Sequence, residues 1–139
     1  MSQTFYLASS VHNITQTRDL ADYLEGQRGY SWANGHNWTL YSEADAPFGS
    51  PKAALLVAAD VSAAVAADVF ILLRTDVVSH GAHAELGARL VTGKTAHLIL
   101  QGSADHLFYY HQCVIRHQTI QEFLEFTQPG RTPQDRRLF

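Results

Sequence analysis

The sequence predicts an α/β fold, a single domain built on one open, mostly parallel sheet of about five strands with helices on both faces. Three observations predict it. Short apolar runs of β-favouring residues alternate with amphipathic or alanine-rich stretches of helical length. One run, Val69-Phe70-Ile71-Leu72-Leu73, is apolar without a break, as a strand covered on both faces must be. The 139 residues, 46% hydrophobic and 17% charged, suffice for one core and not for two full domains.

Each element has its own signal. Phe5-Tyr6-Leu7-Ala8 closed by Ser9-Ser10 reads as a buried first strand ending at a turn. From about Asn13 to Gln27, Ile14, Leu20, Ala21, Tyr23 and Leu24 mix with charged residues ahead of Gly26 and Gly29, the pattern of an amphipathic helix and its stop. Tyr30 to Tyr41 reads as a second strand, or as a hairpin turning at Asn34-Gly35. Ala44 to Pro51 is a loop, and Ser50-Pro51 supplies the cap and first residue of a long helix. That helix, Lys52 to Ala67, holds eight alanines, which favour helix and allow close packing on a sheet. The continuous Val69–Leu73 strand follows. Ser79-His80-Gly81 then opens a helix over Ala82 to about Val91 that stops at Gly93. Thr95 to Leu100 is a fourth strand, His111 to His117 a short fifth, and Thr119 to Thr127 a last helix. Residues 1–129 thus form one domain of Rossmann-like or flavodoxin-like kind, and residues 130–139 a polar tail. Right-handed crossovers place the loops after Ser10, after Leu40 and over Arg74 to Gly81 along one edge, where such sheets bind ligands.

Composition excludes several functions. A net charge of −3 disfavours binding to a nucleic-acid polymer by bulk charge. The single cysteine, Cys113, makes neither an internal disulfide nor a multi-thiolate zinc site, and no signal core follows a basic start, so a cytoplasmic setting is expected. The most apolar window, Ala53 to Leu73, is broken by Asp60 and Asp68, so no membrane segment is expected. No Gly-x-Ser-x-Gly elbow, Gly-x-Gly-x-x-Gly loop or Walker motif is present. His80 and His83 straddle a turn, but zinc needs three or four convergent ligands, and neither a metal nor any other cofactor is expected.

Glu85 is the first candidate for chemistry. It is expected in the first turn of the helix after the most apolar strand, where the helix amino terminus favours its charged form. A carboxylate fixed there can attack a sugar's anomeric carbon and split glycosidic cleavage into two displacements. Acidic residues are also common in first turns for electrostatic reasons alone, so position does not decide between the readings.

A resemblance adds to this reading. Ala67-Asp68-Val69-Phe70-Ile71-Leu72-Leu73, then Ser79-x-Gly81-x-x-x-Glu85-Leu86-Gly87-Ala88, then Gly93-Lys94, resembles the nucleoside 2-deoxyribosyltransferase superfamily, and Tyr6-Leu7-Ala8-Ser9-Ser10 is similar to its first strand and substrate loop. The likeness runs from Phe5 to about Leu100. It implies that Glu85 is the catalytic nucleophile. Asp60, eight residues before Asp68, matches an assisting carboxylate of the 5′-monophosphate N-hydrolase branch, and Ser79, six before Glu85, matches that branch's phosphate serine. A hydroxyl can donate to a phosphate that a second carboxylate would repel. Ser9-Ser10-Val11-His12-Asn13 stands where those hydrolases carry an arginine- and glycine-rich phosphate loop; Ser9, Ser10 and His12 are the substitute polar contacts, with Arg18 or Arg74 as added charge. Tyr6, Trp38 and Phe48 would wall the base, Gly81 would lie beside the substrate, and His80 or His83 would orient Glu85 or act as acid to the leaving base. The implied partner is a small-molecule nucleoside or nucleotide, and the implied assembly a homodimer or higher homo-oligomer, with Gln101 to Gln112 as a contact segment. The alternative is a non-catalytic nucleotide-binding or signalling module on the same fold.

Overall fold

The computed structural model describes residues 3–35, 49–77 and 79–130. The expected architecture is the one observed. Strand β1 (Thr4–Ala8) leads through a short 3-10 turn (Val11–Asn13) into α1 (Ile14–Arg28), then β2 (Ser31–Trp32). After residues 36–48 come α2 (Pro51–Ala66), β3 (Val69–Arg74), α3 (His80–Val91) and β4 (Ala96–Leu100). A second 3-10 turn (Leu107–Tyr110), β5 (Val114–His117) and α4 (Ile120–Phe126) complete the described chain. The sheet order is β2-β1-β3-β4-β5, and every neighbouring pair is parallel.

Strand alternation sorts the core into two layers. Phe5, Leu7, Ile71, Leu73 and Ile99 face α1 and α4, where Leu20, Ala21, Leu24 and Phe123 cover them. Tyr6, Ala8, Phe70, Leu72 and Leu98 face α2 and α3, where Ala64, Ala82, Leu86 and Leu90 cover them. On α1 the buried positions are Thr17, Leu20, Ala21 and Leu24, the spacing of one helical face. Polar caps fix the helix starts: Ser50, Ser79 and Thr119 each accept a backbone N–H from three residues on, at 3.1, 3.1 and 3.0 Å.

The fifth strand starts at Val114 rather than His111, and two further expectations change. The second strand is only two residues long, and Trp38, Thr39 and Leu40, expected to extend it or to form a hairpin arm, lie outside the described residues. Its ladder with β1 continues by other means. Ser31 and Ala33 donate backbone N–H groups to Gln3 and Phe5, and the side chain of Asn34 supplies the next rung, accepting from Leu7 N at 3.1 Å and donating to Leu7 O at 2.8 Å. Gly35 permits this turn because a Cβ there would sit 2.9 Å from the Trp32 ring. Secondly, α3 starts at His80 rather than Ala82, and its first turn holds no acidic residue. Glu85 is therefore the sixth helical residue, beyond the reach of the helix-end charge.

Only Ala64 of α2 is fully buried. Among the described residues no helix is long and apolar enough to cross a membrane.

Candidate active site

The strand order reverses between β1 and β3, and the crevice at their carboxyl ends is where open α/β sheets bind ligands. A cavity of about 340 Å³ lies there. The end of β1 gives it Tyr6 and Ser9, the β2 turn Asn34, α2 the stripe Ala53, Leu56 and Asp60, and the start of α3 Ser79, Gly81 and Glu85.

Register explains how Tyr6 and Glu85 meet. Tyr6 pairs with Phe70 across β1 and β3, and their rings stack at 5.5 Å with 4° between planes. The Tyr6 ring is therefore packed in the core, 1% exposed, and Tyr6 also lines the cavity. On α3, Glu85 shares the inward face with Ala82, Leu86 and Arg89, at helical spacing. The Tyr6 hydroxyl donates to Glu85 Oε2 at 2.5 Å.

Burial decides the charge of this pair. Desolvation pushes the Glu85 carboxyl up to about 7, the Tyr6 hydroxyl partly offsets it, and the negative charge of Asp60 adds to it. The expectation that the helix amino terminus keeps Glu85 charged is thus corrected: low polarizability around the group outweighs a helix end more than one turn away. The Tyr6 phenol is pushed upward, first by burial and then by Glu85, so it stays a donor.

Of the other expected residues, the fold gathers some at the cavity and leaves others outside. Asp60, Ser9, Ser79 and Gly81 line it. Ser9 donates to Leu73 O at 2.6 Å and accepts from Asn13 Nδ2 at 3.0 Å. Ser79 caps α3 by accepting from Ala82 N, which leaves its own hydroxyl proton to donate elsewhere. Ser10 is buried and caps the 3-10 turn by accepting from His12 N at 3.3 Å; neither Ser10 nor His12 lines the cavity. His83 does not line it either, since its ring nitrogens face Ser79 O at 2.7 Å and the Tyr109 hydroxyl at 2.8 Å. Trp38 and Phe48 lie outside the described residues. Asn34 is the residue that sequence reasoning missed: it is 3% exposed, lines the cavity and lies against the Tyr6 phenol. Asn-Gly signals a turn, and nothing in the sequence tells that the amide will replace a strand rung.

A larger cleft of about 670 Å³ opens at the opposite, amino-terminal edge, between Gln3, Asp68, Thr95, His97 and Phe123. Its carboxylate, Asp68, is tied to Thr4 N at 2.9 Å, so size does not make it the better reacting site.

No protein-family model and no characterised protein sequence matches the chain. Solved structures do match in fold. One is the CMP N-glycosidase BcmB of Clostridium botulinum, with 22% identity, a TM-score of 0.55, and 88% of this chain aligned to 96% of that one. Another is a 2-deoxyribosyltransferase from the psychrotolerant bacterium Bacillus psychrosaccharolyticus, with 21% identity, a TM-score of 0.64, and 83% of this chain aligned to 85% of that one.

Proposed function

We propose that the chain is a nucleoside 2-deoxyribosyltransferase-like enzyme that cleaves the N-glycosidic bond of a nucleoside 5′-monophosphate or nucleoside and releases the free base. The observation that supports this best is the half-buried Glu85–Tyr6 pair facing a cavity that Asp60 also lines, at the sheet's ligand edge. Glu85 acts as the nucleophile: its carboxylate oxygen bonds to C1′ as the bond from C1′ to the base nitrogen breaks, and the base departs with the bonding pair and takes up a proton. Asp60 holds the sugar or assists the leaving base. Water then attacks C1′ of the sugar ester, freeing the sugar and restoring the carboxylate; attack by a second base instead makes the reaction a transfer. Tyr6 holds Glu85 in one orientation, and its hydrogen bond favours the charged form needed for attack. Ser79, with a hydroxyl proton to spare, binds the distal end of the substrate.

A panel of nucleoside 5′-monophosphates and nucleosides, monitored for free base, tests this. Base release by the wild type and none by Glu85→Ala is the expected result; equal inactivity of both across the panel would falsify it. A second reading, a nucleotide-binding module without turnover, is favoured by one observation: the turn after β1 is Ser9-Ser10-Val11-His12-Asn13, with no arginine for a phosphate. Tight nucleotide binding without base release, unchanged in Glu85→Ala, selects it.

The protein acts as a homodimer or larger homo-oligomer. The support is α2, on which Leu55 is 72% exposed and Val57 and Val61 are exposed as well. Val57 also lines the cavity, so a copy packed there would border the substrate.

A further inference from the structure

Behind the start of α3, on the side away from the cavity, four groups from three parts of the chain meet. His83 Nδ1 lies 2.7 Å from Ser79 O, and His83 Nε2 lies 2.8 Å from the Tyr109 hydroxyl. The Arg74 guanidinium, at the end of β3, lies alongside that hydroxyl and donates through Nη1 to Val77 O at 2.8 Å. Tyr109 is itself immobilised: its ring is fully buried, its N–H donates to His106 O at 3.0 Å, and its carbonyl accepts from Arg116 Nη1 at 2.7 Å.

These contacts fix a tautomer. A carbonyl oxygen only accepts, so Nδ1 of a neutral His83 must carry the proton. Nε2 is then bare and accepts from the Tyr109 hydroxyl, whose lone pairs face the Arg74 cation. A second proton on the ring is disfavoured by burial first, while Ser79 O favours it, and is further disfavoured by His106, Arg74 and His80. The contact to Ser79 O is much shorter than the helical one from His83 N, at 3.3 Å, so the side chain is the stronger hold on that carbonyl.

We infer that Tyr109 and His83 form a brace that holds the Ser79 turn in place from behind, making them positioning residues for the substrate's distal end rather than acid or ligand. The geometry gives the reason. Ser79 and Gly81 line the cavity at the start of α3, and two contacts hold this region from outside the cavity: the His83 ring on Ser79 O and the Arg74 guanidinium on Val77 O. Both anchors converge on Tyr109. A ring with a bare Nε2 turned toward Tyr109 has no proton to give a leaving base.

The kinetic part of the test rests on the proposed function, and the spectroscopic part does not. Long-range ¹H–¹⁵N spectra of the intact protein, with the His83 signals assigned by their loss in His83→Asn, read the tautomer directly. Protonated Nδ1 with bare Nε2 is expected, and Tyr109→Phe, which removes the donor to Nε2 and leaves the Ser79 carbonyl on Nδ1, should keep that tautomer while shifting the Nε2 signal. A wild-type ring protonated on Nε2 overturns the brace. With a nucleoside 5′-monophosphate that the wild type cleaves, His83→Asn keeps a donor for Ser79 O and should hold KM within about threefold, whereas His83→Ala should raise KM about tenfold with kcat changed less than about threefold. Equal, large losses of kcat in both variants place the ring at the reacting atoms and overturn the positioning role. If no substrate on the panel is cleaved, the proposed activity fails and the tautomer alone decides the brace.

Discussion

At the scale of single residues, the protonation of Glu85 controls both stability and reactivity. Its carboxyl is held at about 7, above the ordinary 4.5, so the folded chain binds a proton more tightly than the unfolded chain does. The folded state is therefore penalised as pH rises from 4.5 through 7, fully so above 7 and not at all below 4.5, by roughly 3 kcal/mol. Glu85→Gln removes the titration. Denaturant melts at pH 5 and pH 8 should show Glu85→Gln gaining on the wild type at the higher pH; a gap that stays constant contradicts the buried, titrating carboxyl. If Glu85 is the nucleophile proposed above, base release should rise through pH 7 to a plateau, because only a carboxylate can attack. Tyr6→Phe deletes the hydrogen bond that lowers the Glu85 value, so its acid limb should move to higher pH, as read from kcat/KM profiles. Glu85 as the candidate nucleophile was legible from Gly-x-x-x-Glu-Leu-Gly. Its neutral tendency was not, because desolvation depends on what the fold stacks around a side chain.

At the scale of elements, a buried arginine ties two helices together. Arg89 of α3 is 2% exposed, and its Nη1 donates to Ala64 O and Val65 O at 3.2 Å and to Ala67 O at 2.5 Å, at the open carboxyl end of α2. Its Nε donates to Thr95 O at 3.0 Å. Arg89→Met keeps the volume but strands these carbonyls, and should cost about 3 kcal/mol in urea unfolding. A loss under about 0.5 kcal/mol would mean that the carbonyls find other partners. The cap residue Ser79 tests the other end of the helix: Ser79→Ala should cost about 1 kcal/mol and also weaken substrate binding, which Thr119→Ala, the same cap loss on α4, should not do. Element boundaries followed from caps and apolar runs in the sequence. The exceptions are instructive: β2 stops after two residues because Asn34 takes over its pairing through a side chain, and α3 begins two residues early because Ser79 caps it directly.

At the scale of the whole molecule, the layered core leaves apolar side chains of α2 uncovered. The outer face of α2 with Leu55 and Val61 predicts self-association. Sedimentation of the wild type should give a dimer or larger species, and the double substitution Leu55→Asp with Val61→Asp should give monomers of unchanged helical content, since both side chains are exposed. A monomeric wild type removes the support that α2 lends to assembly. Within the segment expected to contact a partner, Tyr109 is buried in the core cluster with Ala82 and Leu86, and Leu107, Phe108 and Tyr110 are exposed.

The amino-acid sequence alone determined the succession of strands and helices, the single domain and the spacing of Asp60, Ser79 and Glu85, because apolar periodicity and capping are local and need only neighbours along the chain. Tertiary structure alone decided the 2-1-3-4-5 strand order, the Tyr6–Glu85 hydrogen bond, the part played by Asn34 and the place of His83 behind the cavity. Those depend on contacts 26 to 79 residues apart, and on the water excluded when they form.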